Sequence, residues 1–342
     1  MAKKFFLRCC LMVLASMIQM LPFNSCEASA MRHIIIDTDM GGDDAAALVL
    51  AAKSPNVKIE GVTVLAGNVD LEQAAKNALM TLEVAGVNIP VYKGADRSLV
   101  NREVELFSVY GEDGMGDVDL IHPKGKVQKK SAVDFILETV RKNPDQIEII
   151  LLGPATNVAL AIQKDPATMK RVKRFWSMGT SGFGEGNATP VAEFNVFKDA
   201  EAYKVMLDSG VPVTVVGLDI MNSEVRLNAE ILTAMKNSSP TQSFIAHANE
   251  KYLNFCRDEL HSSDAIFCDP VTMAVALWDD FVLETATCHA SCITESNETY
   301  GQVLFYRKNH MYDTMVTFDS YPVEVVTKIK GAEFFPRYRA AI

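Results

Sequence analysis

Residues 33–44 read His33-Ile34-Ile35-Ile36-Asp37-Thr38-Asp39-Met40-Gly41-Gly42-Asp43-Asp44, and an alanine-rich run, Ala45-Ala46-Ala47-Leu48-Val49-Leu50-Ala51-Ala52, follows directly. An aliphatic run too short for a helix, a glycine turn and then an amphipathic helical pattern describe a strand entering a helix. Four carboxylates lie within eight residues at the carboxyl end of that strand. Parallel sheets bind ligands at this end, and glycine lets the chain turn tightly enough for carboxylates on both sides to converge. Converging carboxylates repel one another unless a positive group lies between them, so the motif implies a hard cation with oxygen ligands, Ca²⁺ or Mg²⁺. A helix N-terminus would account for Asp43 and Asp44 alone.

The same alternation continues outward. Strands are expected at His33–Asp37, Lys58–Leu65, Gln146–Leu152, Arg174–Met178 and Pro212–Leu218. Helices are expected at Ala45–Lys53, Leu71–Val84, Val133–Lys142, Val158–Gln163 and Ala200–Leu207. Such βαβ units make an α/β fold, a Rossmann-like, mainly parallel sheet flanked by helices. No Ser/Pro/Gly-rich linker divides the 342 residues, so one catalytic domain over 31–342 is expected, although roughly 150 residues per domain would suggest two. Loops are expected at 96–130 and 181–195, and the aromatic alternation of Thr299–Val326 predicts a hairpin closing the sheet edge.

Residues 1–30 differ from the rest. Lys3, Lys4 and Arg8 precede a mostly apolar run, Cys9 to Phe23, and Ala28-Ser29-Ala30 supplies small residues, which describes a signal peptide cleaved after Ala30. The run, interrupted by Gln19 and Pro22, is too short to span a bilayer, so no membrane span remains after cleavage. A periplasmic or secreted protein is expected, a lipoprotein anchor at Cys26 being the weaker alternative because Phe23-Asn24-Ser25 is a poor lead-in. A formal net charge of −10, with no basic run longer than Lys129-Lys130, excludes nucleic-acid binding by counterion release. Cys256, Cys268, Cys288 and Cys292 are too few for a disulfide framework. Cys288-His289-Ala290-Ser291-Cys292 leaves open a single disulfide, two idle thiols or half a metal site.

Asp-x-Asp after a strand also fits an aspartyl phosphatase of the haloacid-dehalogenase type, but that class gives the Asp43-Asp44 pair no role. Four further segments bear on the choice. Gly61-Val62-Thr63-Val64-Leu65-Ala66-Gly67-Asn68, Leu151-Leu152-Gly153-Pro154-Ala155-Thr156-Asn157, Asn187-Ala188-Thr189-Pro190-Val191-Ala192-Glu193-Phe194-Asn195 and Cys268-Asp269-Pro270 stand in the order of the inosine–uridine-preferring nucleoside hydrolase family, which the chain resembles from about Arg32 to Leu277.

The resemblance implies Ca²⁺ held by Asp39, Asp44, the Leu152 carbonyl and Asp269. It implies ribose held by Asp43, Asn68, Asn187, Glu193 and Asn195, with Met178 lining the pocket. Asp39 would be the general base for a water that attacks C1′ of a ribonucleoside, releasing base and ribose for salvage. Homo-oligomers are also implied. The chain departs from the pattern at Cys268 and Tyr110, where better-known members carry histidines, and of its histidines only His261 lies near Asp269 in sequence. Tyr110, Phe183, Tyr252 and Phe255 are candidates for stacking on the base, and Tyr110 also for donating a proton to it. The loss of both histidines leaves a nucleoside-binding protein without turnover as the alternative from another class.

Overall fold

Residues Ile34, Ile35 and Ile36 are all fully buried, and they alternate between two hydrophobic clusters: Ile34 and Ile36 face one, Ile35 the other. A strand apolar on both faces needs helices on both sides, which explains its unbroken aliphatic run. The computed structural model describes residues 31–100, 108–117, 121–295, 297–307 and 320–342. The proposed leader, 1–30, lies outside them.

In chain order the elements are β1 (Arg32–Thr38), α1 (Gly42–Lys53), β2 (Val57–Val64), α2 (Leu71–Ala85), β3 (Val91–Lys93), α3 (Ala132–Lys142), β4 (Ile147–Leu151), α4 (Thr156–Lys164), α5 (Pro166–Met169), β5 (Arg174–Met178), α6 (Phe194–Lys198), α7 (Ala200–Leu207), β6 (Val213–Val216), α8 (Leu218–Glu224), β7 (Arg226–Asn228), α9 (Ala229–Lys236), α10 (Pro240–Asp258), β8 (Asp264–Ile266), α11 (Cys268–Leu277), β9 (Val282–Cys292), β10 (Val303–Tyr306), β11 (Pro322–Ile329) and α12 (Phe334–Ala341). Nine strands form one sheet in the order β10-β9-β11-β6-β5-β4-β1-β2-β3, and β7 pairs with β8 in a separate ribbon.

All pairings from β3 through β11 are parallel, and β9 runs antiparallel between β11 and β10. The chain winds from β1 toward β3 on one side and from β4 toward β6 on the other. The crevice between the carboxyl ends of β1 and β4 is therefore the switch point where such sheets bind ligands. Helices α1, α2, α10, α11 and α12 cover one face, and α3, α4 and α7 the other. Tyr338 of α12 donates its hydroxyl proton to Ala46 O of α1 at 3.1 Å.

The expected strands and helices are all present, their ends shifted by three residues at most. Of the stretch expected to form a C-terminal hairpin, Val303–Tyr306 is β10 and pairs antiparallel with β9, as β11 does on the other side, while residues 308–319 lie outside the described residues. Cys288 and Cys292 are buried on one face of β9 and both are free thiols. Four residues along a strand separate them by about 13 Å, beyond disulfide reach. Among the described residues no helix is long and apolar enough to cross a membrane.

At the opposite, amino end of the strands Glu148 is 2% exposed and accepts from Arg32 Nε (3.1 Å), Lys173 Nζ (2.9 Å) and Trp176 Nε1 (2.8 Å). Burial pushes its carboxyl up, but these donors outweigh burial and hold it below the ordinary glutamate value. A depressed folded value contributes stability that is complete above the unfolded value of about 4.3 and lost as pH falls through the folded one. Glu148→Gln is expected to cost about 1–3 kcal/mol at pH 7. The deficit should shrink toward pH 3, as urea unfolding at both pH values would show.

Candidate active site

The cavity at the switch point has a volume of 310 Å³ and is lined by Asp43, Asn68, Val109, Tyr110, Leu152, Met178, Asn187, Ala188, Glu193, Phe194, Asn195, Tyr252, Phe255, Leu260, Cys268 and Asp269. No lysine, arginine or histidine is among them. Every expected sugar-facing residue is present, gathered from the ends of β1, β2, β4 and β5, from the loop before α6, and from α11.

Asp39 lies beneath this lining, fully buried. Its carboxylate accepts from Asn68 N at 2.7 Å and Asn68 Nδ2 at 3.2 Å. The backbone closes on it from two sides: a Cβ on Gly67 would stand 1.9 Å from Asp39 Oδ2, and one on Gly153 3.0 Å from Asp39 Oδ1. Close approach is why these positions are glycine. Asp44, in the first turn of α1, accepts from Gly41 N at 2.7 Å, from Asn68 Nδ2 at 3.1 Å and from the Thr38 hydroxyl. Asn68 thus bridges Asp39 and Asp44.

Asp43, Asp44 and Asp269 each offer an oxygen within 4.8 Å of the others, and all three are buried. Their composition fits a hard cation: carboxylate oxygens only, no sulfur or nitrogen donor, with the Leu152 carbonyl beside them in the lining. That carbonyl accepts from Asn195 Nδ2 at 2.8 Å, which leaves it a second lone pair. Burial first, and then repulsion between neighbouring carboxylates, raises Asp43, Asp44 and Asp269 above the ordinary aspartate value. Burial likewise brings Asp39 up to about 7 against the opposing Asn68 bond. A bound cation would reverse these shifts.

Glu193 caps α6, accepting from Asn195 N (2.9 Å), Val196 N (3.1 Å) and Thr180 N (3.2 Å). Burial raises it to about 7 in spite of those donors. Asn187 Oδ1 accepts from Phe194 N at 2.8 Å, which closes the loop on the same helix. Asn195 Nδ2 also meets Met178 Sδ at 3.2 Å. The other half of the cavity is aromatic, with the rings of Tyr110 and Tyr252 4.8 Å apart and tilted by 45°. Cys268 begins α11, and burial pushes its thiol well above the ordinary cysteine value, so it is a neutral donor.

Two expectations are corrected, those for Asp37 and Phe183. Asp37 does not join the cavity: it accepts from Asn157 Nδ2 at 2.8 Å and from the Thr63 hydroxyl, and so ties β1 to α4 and β2. Phe183 stands outside, 47% exposed, 5.5 Å from the ring of Phe305 and beneath the Arg307 guanidinium. His261 is exposed, with a left-handed backbone (φ +53°), in a turn outside the lining. Sequence reasoning missed Val109, Leu260 and Phe194, whose signal is only their neighbourhood to Tyr110, Cys268 and Asn195 in space.

The family described as inosine-uridine preferring nucleoside hydrolase matches the chain over residues 34–336. The chain is 35% identical to uridine nucleosidase 1 of Arabidopsis thaliana over 72% of its own length and 74% of that protein's. It is 35% identical to the pyrimidine-specific ribonucleoside hydrolase RihB of Escherichia coli over 57% of its own length and 62% of that protein's. Among solved structures, a plant nucleoside hydrolase matches 91% of this chain and 98% of its own with a TM-score of 0.85 at 29% identity.

The cluster's need for positive charge is testable without turnover. Ca²⁺ at a hundred times its dissociation constant should stabilise the protein by about 2–3 kcal/mol, because a cation held by the folded state alone shifts the unfolding equilibrium. Asp269→Asn should abolish that upward shift of the thermal midpoint, and a shift undiminished in the variant would place the cation elsewhere.

Proposed function

The chain belongs to the inosine-uridine preferring nucleoside hydrolase family, and from that premise we propose that it hydrolyses the N-glycosidic bond of ribonucleosides to free base and ribose, with Ca²⁺ at the carboxylate cluster. The observation that carries this reading is the division of one cavity into a carboxylate-and-amide half and an aromatic half, with no cationic side chain in either among the described residues. Ribose fits the first half, where Asp43, Asn68, Asn187, Glu193 and Asn195 offer donors and acceptors for its hydroxyls. The base fits the second, against Tyr110, Tyr252 and Phe255.

Cleaving a C–N glycosidic bond leaves positive charge on the sugar ring. Fixed carboxylates around that ring favour the transition state over the neutral ground state, and among the described residues no lysine or arginine lines the cavity beside them. The same charge repels phosphate, which argues for nucleosides over nucleotides and against the aspartyl phosphatase. Asp39, Asp44, Asp269 and the Leu152 carbonyl would hold Ca²⁺, which when bound supplies Lewis acidity toward sugar hydroxyls and water. Asp39, held in one orientation by Asn68, Gly67 and Gly153, would take the proton of the water that attacks C1′. Near the base the side chains offer only weak donors, among them the Cys268 thiol. The proposal includes cleavage of residues 1–30 after Ala30, which would place the mature enzyme in the periplasm or outside the cell.

Purified residues 31–342 should release base and reducing sugar from at least one of inosine, uridine, guanosine, adenosine and cytidine, and excess chelator should stop the release. Ribose binding with no base released over hours would leave a binding protein. Asp39→Ala should stay folded and lose at least about a thousandfold in kcat. The 2′-deoxynucleoside should react at least about a hundredfold more slowly, because its absence of a hydroxyl leaves buried polar groups unpaired.

A further inference from the structure

We propose that Asn77 is a positioning residue that ties the cation site to the segment facing the base, so that a cation held by the carboxylates also steadies Val109 and Tyr110. The base-facing role rests on the ribonucleoside reading of the cavity, whereas the tie itself rests on hydrogen bonds.

Asn77 lies in α2, fully buried and outside the cavity lining. Its Nδ2 donates to Met40 O at 3.0 Å and to Asp113 O at 2.7 Å, while its Oδ1 accepts from Gln73 Nε2 at 2.8 Å. A carboxamide has two N–H bonds to give, and both are spent on these carbonyls.

One of the carbonyls belongs to the carboxylate motif. Met40 stands between Asp39 and Gly41 with a left-handed backbone (φ +54°), which a residue with a side chain adopts only where its surroundings hold it. The Met40–Gly41 peptide is a rigid plane held at both ends, its oxygen by Asn77 and its N–H by Asp44 Oδ2 at 2.7 Å. A rotation of that plane would move Asp39 relative to Asp44, and Asn77 opposes it.

The other carbonyl belongs to the segment 108–117. Within it Met115 N and Asp117 N donate to Asp113 Oδ1 at 2.6 and 2.9 Å, and Gly116 N donates to Tyr110 O at 2.7 Å. The segment is thus knit around Asp113, and Val109 and Tyr110 near its start line the cavity. Gly114 (φ +71°) passes so close that a Cβ there would stand 2.7 Å from Val69 Cγ1 and 3.4 Å from Met40 O. One buried amide therefore couples the turn that sets two of the proposed cation ligands to the segment that supplies part of the aromatic half. Such coupling is reciprocal: what the cation does for the segment, the segment does for the cation.

Hydrogen exchange of residues 108–117, followed by mass spectrometry in excess chelator and in saturating Ca²⁺, reads the coupling in the wild-type protein. Ca²⁺ should slow exchange there at least about fivefold. Asn77→Leu fills a similar space without an N–H. In that variant the slowing should fall below about twofold, and Ca²⁺ affinity by calorimetry should drop roughly fivefold to tenfold. Should Asn77→Leu fail to fold, Asn77→Ser, which leaves room for water at both carbonyls, takes its place. A side chain that only stiffened the fold would lower the urea midpoint and leave the slowing at its wild-type size, and that outcome would overturn the proposal. Exchange in the wild-type protein indifferent to Ca²⁺, or a variant with unchanged Ca²⁺ affinity, would overturn it as well. The function reading fails separately: a wild-type protein that binds Ca²⁺ and slows at 108–117 but releases no base would refute the hydrolase and leave the Asn77 tie in place.

Discussion

Asp39, Asp43, Asp44, Glu193 and Asp269 are buried around one cavity that, among the described residues, no lysine, arginine or histidine lines, and such like charges in a low-dielectric site repel one another strongly. Much of the surrounding architecture supplies partial positive charge in place of side-chain cations. Asp43 and Asp44 stand in the first turn of α1, Asp269 in the first turn of α11, and Glu193 at the N-cap of α6, so three helices point their amino ends at one spot. Asn68 adds a backbone and a side-chain amide. These dipoles orient the carboxylates, and a cation then completes the balance. The parallel sheet makes the arrangement possible, since only at the carboxyl ends of its strands do so many helix starts converge.

Much of this was legible in the sequence because it is local. An aliphatic run, a glycine turn and an acidic helix start lie within twelve residues, and the strands flanking β1 repeat the same grammar. What escaped was set by distance along the chain. Alternation in Val303–Tyr306 marks a strand but not its partner, and among the described residues the partner is β9, whose long exposed and half-buried amino half weakens its apolar signal. Three-residue β3 is too short to register as a period.

At the site the types of residue were readable and their directions were not. Asp37 lies near the end of β1 and Asp39 just beyond it, equally acidic in sequence, yet Asp37 is claimed by Asn157 and Thr63. Phe183 and Tyr252 are equally aromatic in sequence; only packing places one over Phe305 at the surface and the other in the cavity.

The bond between Tyr338 and Ala46 spans 292 positions of sequence. Helix α1 holds Asp43 and Asp44 of the carboxylate cluster, and α12, far away in sequence, braces it. Strand β11, also late, pairs with β6 in the interior of the sheet and not at its margin. Closing so many long loops before their contacts repay the entropy makes for slow folding. Until β11 has docked, the half-built sheet exposes an unpaired β6 edge, open to pairing with another chain.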